Sequence, residues 1–246
     1  MQDDRINRGM LLNNLAGLLD GRYKLSGNPQ DLENAIARSE EAVNGMADGH
    51  ADHGLLLDSF ARHLSHRYDH TGNLKDLEAA IARSKEAVAA TPAGHIARTL
   101  RLSQLASHLG RRYKRTGNLQ DLDKAITQLQ EILETVAEGC YDREGRLDDL
   151  ATHLSGRYER TGDFSDLEAA IAHSEAAVGA TPFDHLDRPI RLNNLATYLC
   201  SRYKRTGNLQ DLEAAITMSG AAVEATSNLG HTDQAIFLGN LGSCLG

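Results

Sequence analysis

A 45-residue internal repeat constrains this sequence more than any other feature. The dipeptide Arg-Tyr occurs five times, and each occurrence lies 45 residues after the one before it. These dipeptides begin at Arg22, Arg67, Arg112, Arg157 and Arg202. Columns of leucine, alanine and glycine recur at the same spacing, with no insertion or deletion across the five copies. A tandem repeat of this length indicates an array whose units stack on their neighbours and share one continuous core.

Each repeat contains the signals for two helices. In the third repeat, Leu102, Leu105 and Leu109 lie three and four residues apart, which is the spacing of a helical apolar stripe. Gly117 is a natural left-handed C-terminal cap for this first helix. Asn118 follows it as an N-cap, and it opens a second helix with its own apolar stripe. The repeat is therefore a helix-turn-helix unit, and the chain is all-α.

Caps and stripes together predict eleven helices and no strand. The expected helices lie near residues 6–25, 29–46, 52–70, 74–90, 97–115, 119–137, 144–160, 164–180, 188–205, 209–226 and 233–245. We expect one domain over residues 1–246. Its five repeats cover about 6–50, 51–95, 96–140, 141–185 and 186–231, and a terminal half-repeat covers 232–246.

Composition excludes several functional classes. The chain has 26 Lys and Arg against 34 Asp and Glu, a net charge of −8, which argues against binding nucleic acid through bulk positive charge. No stretch approaches the roughly 18 consecutive apolar residues of a membrane span. The three cysteines, Cys140, Cys200 and Cys244, form no CxxC pair. This pattern favours unpaired thiols in a reducing compartment, and we expect a cytoplasmic protein.

Small residues and a proline within the repeat resemble the tetratricopeptide pattern. The pair Leu150-Ala151 is followed by Ala170, Ala177 and Pro182, and the last twelve residues of this run match the second helix of that family. The repeat is longer, with 45 residues where the usual tetratricopeptide unit has about 34. The resemblance implies a right-handed superhelical solenoid of five tetratricopeptide-like repeats plus a C-terminal half-repeat.

Two longer segments resemble a narrower group. Residues 181–195 and 202–216 are similar to the extended tandem repeats of fungal tetratricopeptide proteins that precede a caspase-like CHAT protease domain. The sequence contains the repeat array without a recognisable protease motif of paired His and Cys. The resemblance therefore implies a scaffold that binds other proteins, and it identifies no partner.

The columns that recur in every repeat are interpreted first as scaffold. The Arg-Tyr arginines are either ligand-binding groups or partners of second-helix carboxylates, and their identity in all five copies favours the structural role. His63, His108 and His153 share one column, in which the end copies place Leu18 and Tyr198. Equivalent helices lie at least about 8–10 Å apart, so a single zinc ion could not reach all three histidines. We expect a packing site and no metal.

A second group of histidines precedes the first helices. These are His50, His95, His185 and the out-of-phase His231, and Cys140 stands at the remaining position. We expect them to cap the following helix, while a Cys-His catalytic pair at Cys140 is the alternative. The sequence contains no phosphate loop or hydrolase motif, and we predict no enzymatic activity and no cofactor.

Partner recognition is expected where exposed residues vary between repeats. By analogy with tetratricopeptide arrays, first-helix residues outside the apolar stripe line the concave groove. The predicted partner-binding residues are Asn13, Asp58, Arg62, Ser103, Arg111, Asp148 and Asn193. The C-terminal tails of the first helices are net positive, so the partner of this groove is expected to be a protein or peptide, with an acidic segment as one candidate.

The sequence leaves alternatives to this scaffold. The array could assemble with itself, or it could act as a spacer or sensor module of a larger effector protein. The terminal half-repeat favours such self-association, because its apolar stripe has no second helix after it. Nucleic-acid and membrane partners are not expected.

Overall fold

A computed structural model describes residues 2–47, 49–136, 142–229, 239–240 and 242. Within these ranges the chain forms ten α-helices of four turns or more and no β-strand. The helices are α1 Gln2–Ser26, α2 Pro29–Gly45, α3 His53–Thr71, α4 Leu74–Ala89, α5 Ala97–Thr116, α6 Leu119–Thr135, α7 Arg143–Thr161, α8 Phe164–Ala180, α9 Arg188–Thr206 and α10 Leu209–Leu229. Odd-numbered helices are the first helices of the repeats, and even-numbered helices are the second.

The turn inside each repeat follows from a glycine and the residue after it. Gly72 adopts φ 68°, and its N–H donates to the Tyr68 carbonyl at 2.7 Å, which closes the first helix. This left-handed conformation is open to glycine at little cost. Asn73 then accepts a hydrogen bond from the Lys75 N–H at 3.2 Å and begins the second helix. Asn28 and Asp163 cap α2 and α8 in the same way.

The predicted helix bounds agree with the structure to within two residues at most positions. Two ends differ. α1 begins at Gln2 rather than near residue 6, and no glycine or proline interrupts its first turn. α10 continues to Leu229, since its repeat lacks the Thr-Pro step that ends the second helix of the second and fourth repeats. The predicted helix 233–245 lies mostly outside the described residues.

The chain divides into two compact units, residues 1–128 and 129–246, and α6 crosses the boundary between them. The prediction of a single domain over residues 1–246 stays a prediction. In the first unit, α1 pairs with α2 and α3 pairs with α4, while α2 packs on α3 and α4 packs on α5. Leu32 and Ile36 of α2 contact Leu56 and Phe60 of α3 in this core.

The second unit repeats this arrangement. α7 pairs with α8, α9 pairs with α10, and α8 packs on α9. Leu150 and Leu154 of α7 are buried, as are Leu167 and Ile171 of α8. Because each helix buries one stripe within its hairpin and another against the next repeat, most residues of the recurring leucine, isoleucine and alanine columns lie in the core.

The Arg-Tyr arginines have the structural role that their recurrence predicts. Each guanidinium makes two hydrogen bonds to an aspartate nine residues later, in the first turn of the second helix. The Arg Nε to Asp Oδ2 distances are 2.8 Å for Arg22–Asp31, 3.1 Å for Arg67–Asp76, 2.8 Å for Arg112–Asp121, 2.8 Å for Arg157–Asp166 and 3.0 Å for Arg202–Asp211. This two-point contact joins the two helices of every repeat.

A second set of arginines joins one repeat to the next. Arg98 donates to the carbonyls of Val88 and Thr91, at 3.3 and 2.9 Å, and so satisfies the end of α4. Arg143 makes the equivalent bonds to Leu133 and Val136, at 2.9 and 2.7 Å. A cation beside the last carbonyls of a helix also offsets the negative end of the helix dipole.

One cysteine differs from the sequence-based expectation. Cys200 lies buried in α9 and is disulfide-bonded. The prediction of unpaired thiols is therefore wrong at this residue. Cys140 and Cys244 lie outside the described residues.

Candidate interaction surface

Successive first helices contact one another through side chains that are 46 residues apart. In the first unit, Asp20 Oδ1 of α1 lies 2.6 Å from His66 Nδ1 of α3. In the second unit, the Asn194 amide of α9 lies 3.3 Å from both carboxylate oxygens of Asp148 of α7. The exposed residues of α1, α3 and α5 therefore adjoin in one unit, and those of α7 and α9 adjoin in the other. We call these the first-helix surface of each unit.

The structure separates the predicted binding residues into buried and accessible ones. Five of them form one column, in which Asp58, Ser103 and Asn193 are buried while Asn13 and Asp148 are half-buried. Because the column lies where adjacent first helices meet, its side chains face the neighbouring helix more than solvent. Their predicted role in partner binding stays a prediction.

Burial leaves two acceptors in this column without a partner among the described residues. Asn13 Oδ1 and Asp58 Oδ1 are inaccessible to water and receive no hydrogen bond. Burial raises the pKa of the Asp58 carboxyl, and the positive charges of Arg62 and Arg101 only partly oppose this effect. Burial likewise raises the pKa of Asp148, and its hydrogen bond from Asn194 offsets part of the increase.

A neighbouring column of first-helix residues is more accessible to solvent. Gly17, Ser107 and Thr197 of this column are exposed, and Arg62 and Thr152 are half-buried. All five lie four residues after the buried column, one helical turn further along the same helices. The five positions hold four different residue types, with threonine in both the fourth and fifth repeats, while the surrounding leucines and alanines stay the same. The first-helix surface thus presents variable side chains on an invariant backbone.

The two predicted arginines have different surroundings. Arg111 is in contact with Ser65 and Asp69 of the preceding first helix, and its guanidinium lies 5.0 Å from the centre of the Tyr68 ring. Burial lowers the pKa of Arg111. Arg62 is half-buried, and within the described ranges no hydrogen bond or ion pair of its guanidinium is found. Arg62 is therefore the better placed of the two to meet a partner.

An apolar edge of the first-helix surface was not predicted from the sequence. Leu55 of α3, Leu100 of α5 and Ile190 of α9 are exposed near the beginning of their helices. They belong to one column, with Met10 in the first repeat and Gly145 in the fourth. The signal was available, because a large apolar residue recurs outside the buried stripe in four of five copies. Recurring exposed apolar residues are typical of interaction sites.

The histidine column packs between repeats, as predicted. His63 Nδ1 lies 2.8 Å from the Ser39 hydroxyl of α2, and His108 Nδ1 lies 3.1 Å from the Ser84 hydroxyl of α4. Burial lowers the pKa of each imidazole to about 4, since the protonated ring would lose its hydration. No group of three His, Cys, Asp or Glu side chains suited to a metal ion occurs in the described part of the chain.

The histidines before the first helices accept hydrogen bonds from backbone N–H groups two residues later, where the chain turns into each helix. His50 Nδ1 accepts from the Asp52 N–H at 3.2 Å, and His95 Nδ1 accepts from the Ala97 N–H at 3.1 Å. His185 makes the same contact with Asp187 at 3.1 Å. These bonds lie at the turn before each helix, and the N-cap residues Asp52, Ile96 and Asp187 make no side-chain cap bond, so the predicted capping role stays a prediction. His231 and Cys140 lie outside the described residues, so the alternative catalytic pair at Cys140 was not tested.

A groove of about 630 Å³ lies between α1 and α2. Arg8, Leu12, Glu40 and Asn44 are among its lining residues. None of the described helices is both long enough and apolar enough to cross a membrane.

Comparison with known proteins agrees with this geometry. A tetratricopeptide repeat family model matches residues 191–232. Two crystal structures of a putative kinesin light chain with nearly identical TPR-like repeats, from Podosopora anserina, are similar in fold. One has a TM-score of 0.60 at 17% identity and covers 85% of this chain and 95% of that chain. The other, a point variant of the same protein, has a TM-score of 0.62 at 16% identity and covers 89% of this chain and 98% of that chain.

A third solved structure extends the comparison. BtubC (BKLC) from P. vanneervenii is 22% identical, with a TM-score of 0.54, and the match covers 87% of this chain and 82% of that chain. No curated protein matches the sequence. At these identities the structural matches concern the fold alone. Together with the family match over residues 191–232 and the tandem helical hairpins, they show that the fold of this chain is a tetratricopeptide-like helical repeat array.

Proposed function

We propose that this chain is a protein-interaction scaffold that binds a peptide or protein segment along its first-helix surface. The observation that carries the proposal is the accessible column of Gly17, Arg62, Ser107, Thr152 and Thr197. A repeat scaffold offers the same backbone at every step, so only side chains that differ between repeats can select a partner.

The surface also suggests the chemistry of the partner. In the first unit its apolar edge, which contains Leu55 and Leu100, would accept apolar side chains of a bound segment. Lys114 and Arg115 at the end of α5 would attract acidic residues of the same segment. We therefore propose a partner segment that is apolar at one side and acidic at the other, such as an amphipathic helix laid across the first helices.

No catalytic activity is proposed. His63 and His108, whose imidazole pKa values burial lowers, are buried between helices and hydrogen-bonded to serines. A substrate could reach them only by separating one repeat from the next. Their shifts follow from desolvation in a packed core, which is a structural cause.

The test compares two charge reversals in the second repeat. Arg62→Glu changes the first-helix surface, whereas Lys85→Glu makes the same change at an exposed position of the second helix α4. Partners would be captured from the native cell extract with each protein and identified by mass spectrometry, and the affinity of the recovered partner would then be measured. We expect Arg62→Glu to weaken binding about tenfold, less so at high salt, and Lys85→Glu to leave it unchanged.

Leu100→Glu tests the apolar edge separately. It should abolish capture of the same partner, because it places a charge where an apolar side chain docks. Unchanged affinity of both Arg62→Glu and Leu100→Glu would show that the partner binds elsewhere. Equal loss in Lys85→Glu would assign the site to the second helices instead.

A further inference from the structure

Two loops of the array are closed by the same hydrogen bonds. They are the α4–α5 loop, residues 90–96, and the α8–α9 loop, residues 181–187. In the α8–α9 loop the Thr181 hydroxyl donates to the Ala177 carbonyl at 2.6 Å, and the His185 N–H donates to the Pro182 carbonyl at 3.2 Å. The α4–α5 loop makes both bonds at the same distances. The threonine, proline and histidine that recur in the two loops therefore belong to the scaffold.

The α8–α9 loop differs at three positions whose side chains these bonds do not use. It carries Phe183, Asp184 and Asp187 where the equivalent positions around the α4–α5 loop have alanine, glycine and alanine. The Asp187 side chain makes no cap hydrogen bond to α9. Because the α4–α5 loop forms the same bonds without them, the scaffold does not require these three side chains.

Three large apolar side chains are exposed in the α8–α9 loop and at the start of α9. Phe183 is 89% exposed, Leu186 is 62% exposed and Ile190 is 44% exposed. Leu186 and Ile190 are about one helical turn apart where the chain enters α9. Exposed apolar side chains that cluster in one segment, rather than occurring singly, are typical of interaction sites.

The Phe183 ring is held in place although it is exposed. The Arg188 guanidinium lies 4.4 Å from the centre of the ring. The same guanidinium donates to the Val178 carbonyl at 3.0 Å and to the Thr181 carbonyl, which fixes it against the end of α8. An aromatic side chain that is already ordered loses little conformational entropy when a partner binds, so Phe183 is well suited to anchor one.

The accessible charges beside these apolar side chains are negative. Asp184 is exposed and has no hydrogen bond or ion pair with another described residue. Asp187 lies 3.6 Å from Arg191, and 59% of its side chain remains exposed. The two nearby arginines are occupied, because Arg188 binds the end of α8 and the buried Arg191 donates to the Thr181 hydroxyl at 2.5 Å. The segment therefore presents apolar and negative groups together.

We propose that this acidic loop patch, formed by Phe183, Asp184, Leu186, Asp187 and Ile190, binds a protein segment whose apolar residues are flanked by lysine or arginine. Apolar side chains of the partner would cover Phe183, Leu186 and Ile190. Its cations would pair with the two aspartates, and this charge complementarity identifies the kind of partner.

Two other sites are distinct from this one. An anionic membrane surface fits the acidic loop patch less well, because its phosphate groups would approach Asp184 and Asp187. The partner proposed for the first-helix surface is acidic, whereas the acidic loop patch requires a basic partner. The inference therefore goes beyond the proposed function and does not rest on it.

Two variants test the acidic loop patch. The triple variant Phe183→Ala/Asp184→Gly/Asp187→Ala introduces the residues that the equivalent positions around the α4–α5 loop already have. Glycine can adopt the backbone conformation of Asp184 at little steric cost. The charge variant Asp184→Asn/Asp187→Asn removes the two negative charges alone. Glu175→Gln/Glu213→Gln is the matched control, because both glutamates are exposed on second helices of the same unit.

The probe is a synthetic helical peptide of about 18 residues, with leucine along one face and lysine on both sides of that face. A second peptide has glutamate in place of every lysine. Binding of each fluorescently labelled peptide would be measured by anisotropy at about 0.05 M and about 0.15 M salt. We expect the parent and the glutamine control to bind the lysine peptide equally well. The triple variant should bind it about tenfold more weakly, and the charge variant should lose most of the salt dependence.

Equal binding of the lysine peptide by the parent and the triple variant would overturn the inference, and so would equal binding of the two peptides by the parent. If circular dichroism showed that the triple variant had lost helicity, unchanged binding by the charge variant would overturn it instead. Sedimentation of the parent with vesicles that contain phosphatidylserine, absent in the triple variant, would assign the patch to a membrane surface. Arg62→Glu should bind the lysine peptide like the parent, so this result is independent of the proposed partner site.

Discussion

Acid should destabilise this protein through its buried histidines, and His108→Leu should remove a measurable part of that effect. His108 is buried against Ser84, and its pKa falls from 6.5 to about 4 because burial disfavours the charged ring. Below pH 6.5, His108 binds a proton in the unfolded chain but not in the folded chain. The contribution of His108 to the free energy of unfolding is therefore fully present above that pH, and it decreases as the pH falls toward 4.

The size of the effect follows from the two pKa values. Between pH 7 and pH 5, one histidine with these values should lower the free energy of unfolding by about 2 kcal/mol. His63, with a pKa also near 4, should contribute a similar amount. Around His63, the charge of Asp20 partly opposes the shift, whereas Arg62, His66 and Lys24 add to it.

Urea unfolding at pH 7 and pH 5, followed by circular dichroism, measures the difference directly. The loss of stability between the two pH values should be about 2 kcal/mol smaller in His108→Leu than in the parent. Carboxyl groups contribute equally to both proteins, so their effect cancels. His70→Leu, at an exposed position in the last turn of α3, is the control and should behave like the parent. The same pH dependence in His108→Leu and the parent would refute a neutral, buried His108.

Three further changes test other parts of the fold. Leu154→Ala should lower the free energy of unfolding by about 2–5 kcal/mol, because it leaves a cavity in the core of the second unit; a loss below about 1 kcal/mol would mean that the core closes around the gap. Asp58→Asn should maintain or raise the free energy of unfolding at pH 7. Burial raises the pKa of Asp58, so its ionised form becomes unfavourable as the pH rises above 3.8. A clear loss of stability in urea unfolding would show that the charges of Arg62 and Arg101 offset the effect of burial. Asn118→Ala should cost about 1 kcal/mol, because the Asn118 side chain accepts a hydrogen bond from the Gln120 N–H at 3.1 Å; an unchanged thermal midpoint would exclude this cap as a source of stability.

Helix positions were predictable because their signals are local. Gly72 and Asn73 end one helix and begin the next through their own backbone and side-chain geometry, and the equivalent pairs do so in the other repeats. The Arg-Tyr column was predictable for a related reason, since Arg67 and Asp76 are only nine residues apart. Such pairs can be recognised without knowing how repeats pack.

Exposure of the candidate site was harder to predict, because it depends on contacts between repeats. Asp58 and Arg62 lie one turn apart on α3, yet the first is buried and the second is accessible. The sequence pattern placed both in the groove. The difference arises where neighbouring first helices approach each other, and the spacing of residues within one repeat contains no information about that approach. The exposure of Leu18 was missed for the same reason. Leu18 belongs to a packing column, but its outer side is not covered.

The contacts between repeats have a consequence for how such a gene can change. Ser39 meets His63 and Ser84 meets His108, each pair 24 residues apart, and Glu33 meets Arg67 over a separation of 34. Excision of residues 51–95 would place Ser39 opposite His108 and Glu33 opposite Arg112, which are the same chemical pairs. Unequal recombination between the similar coding segments could therefore remove or duplicate a whole repeat without creating a new kind of interface. Selection could then lengthen or shorten the array in steps of 45 residues, while a shorter deletion inside a repeat would put the residue pairs that span it out of register.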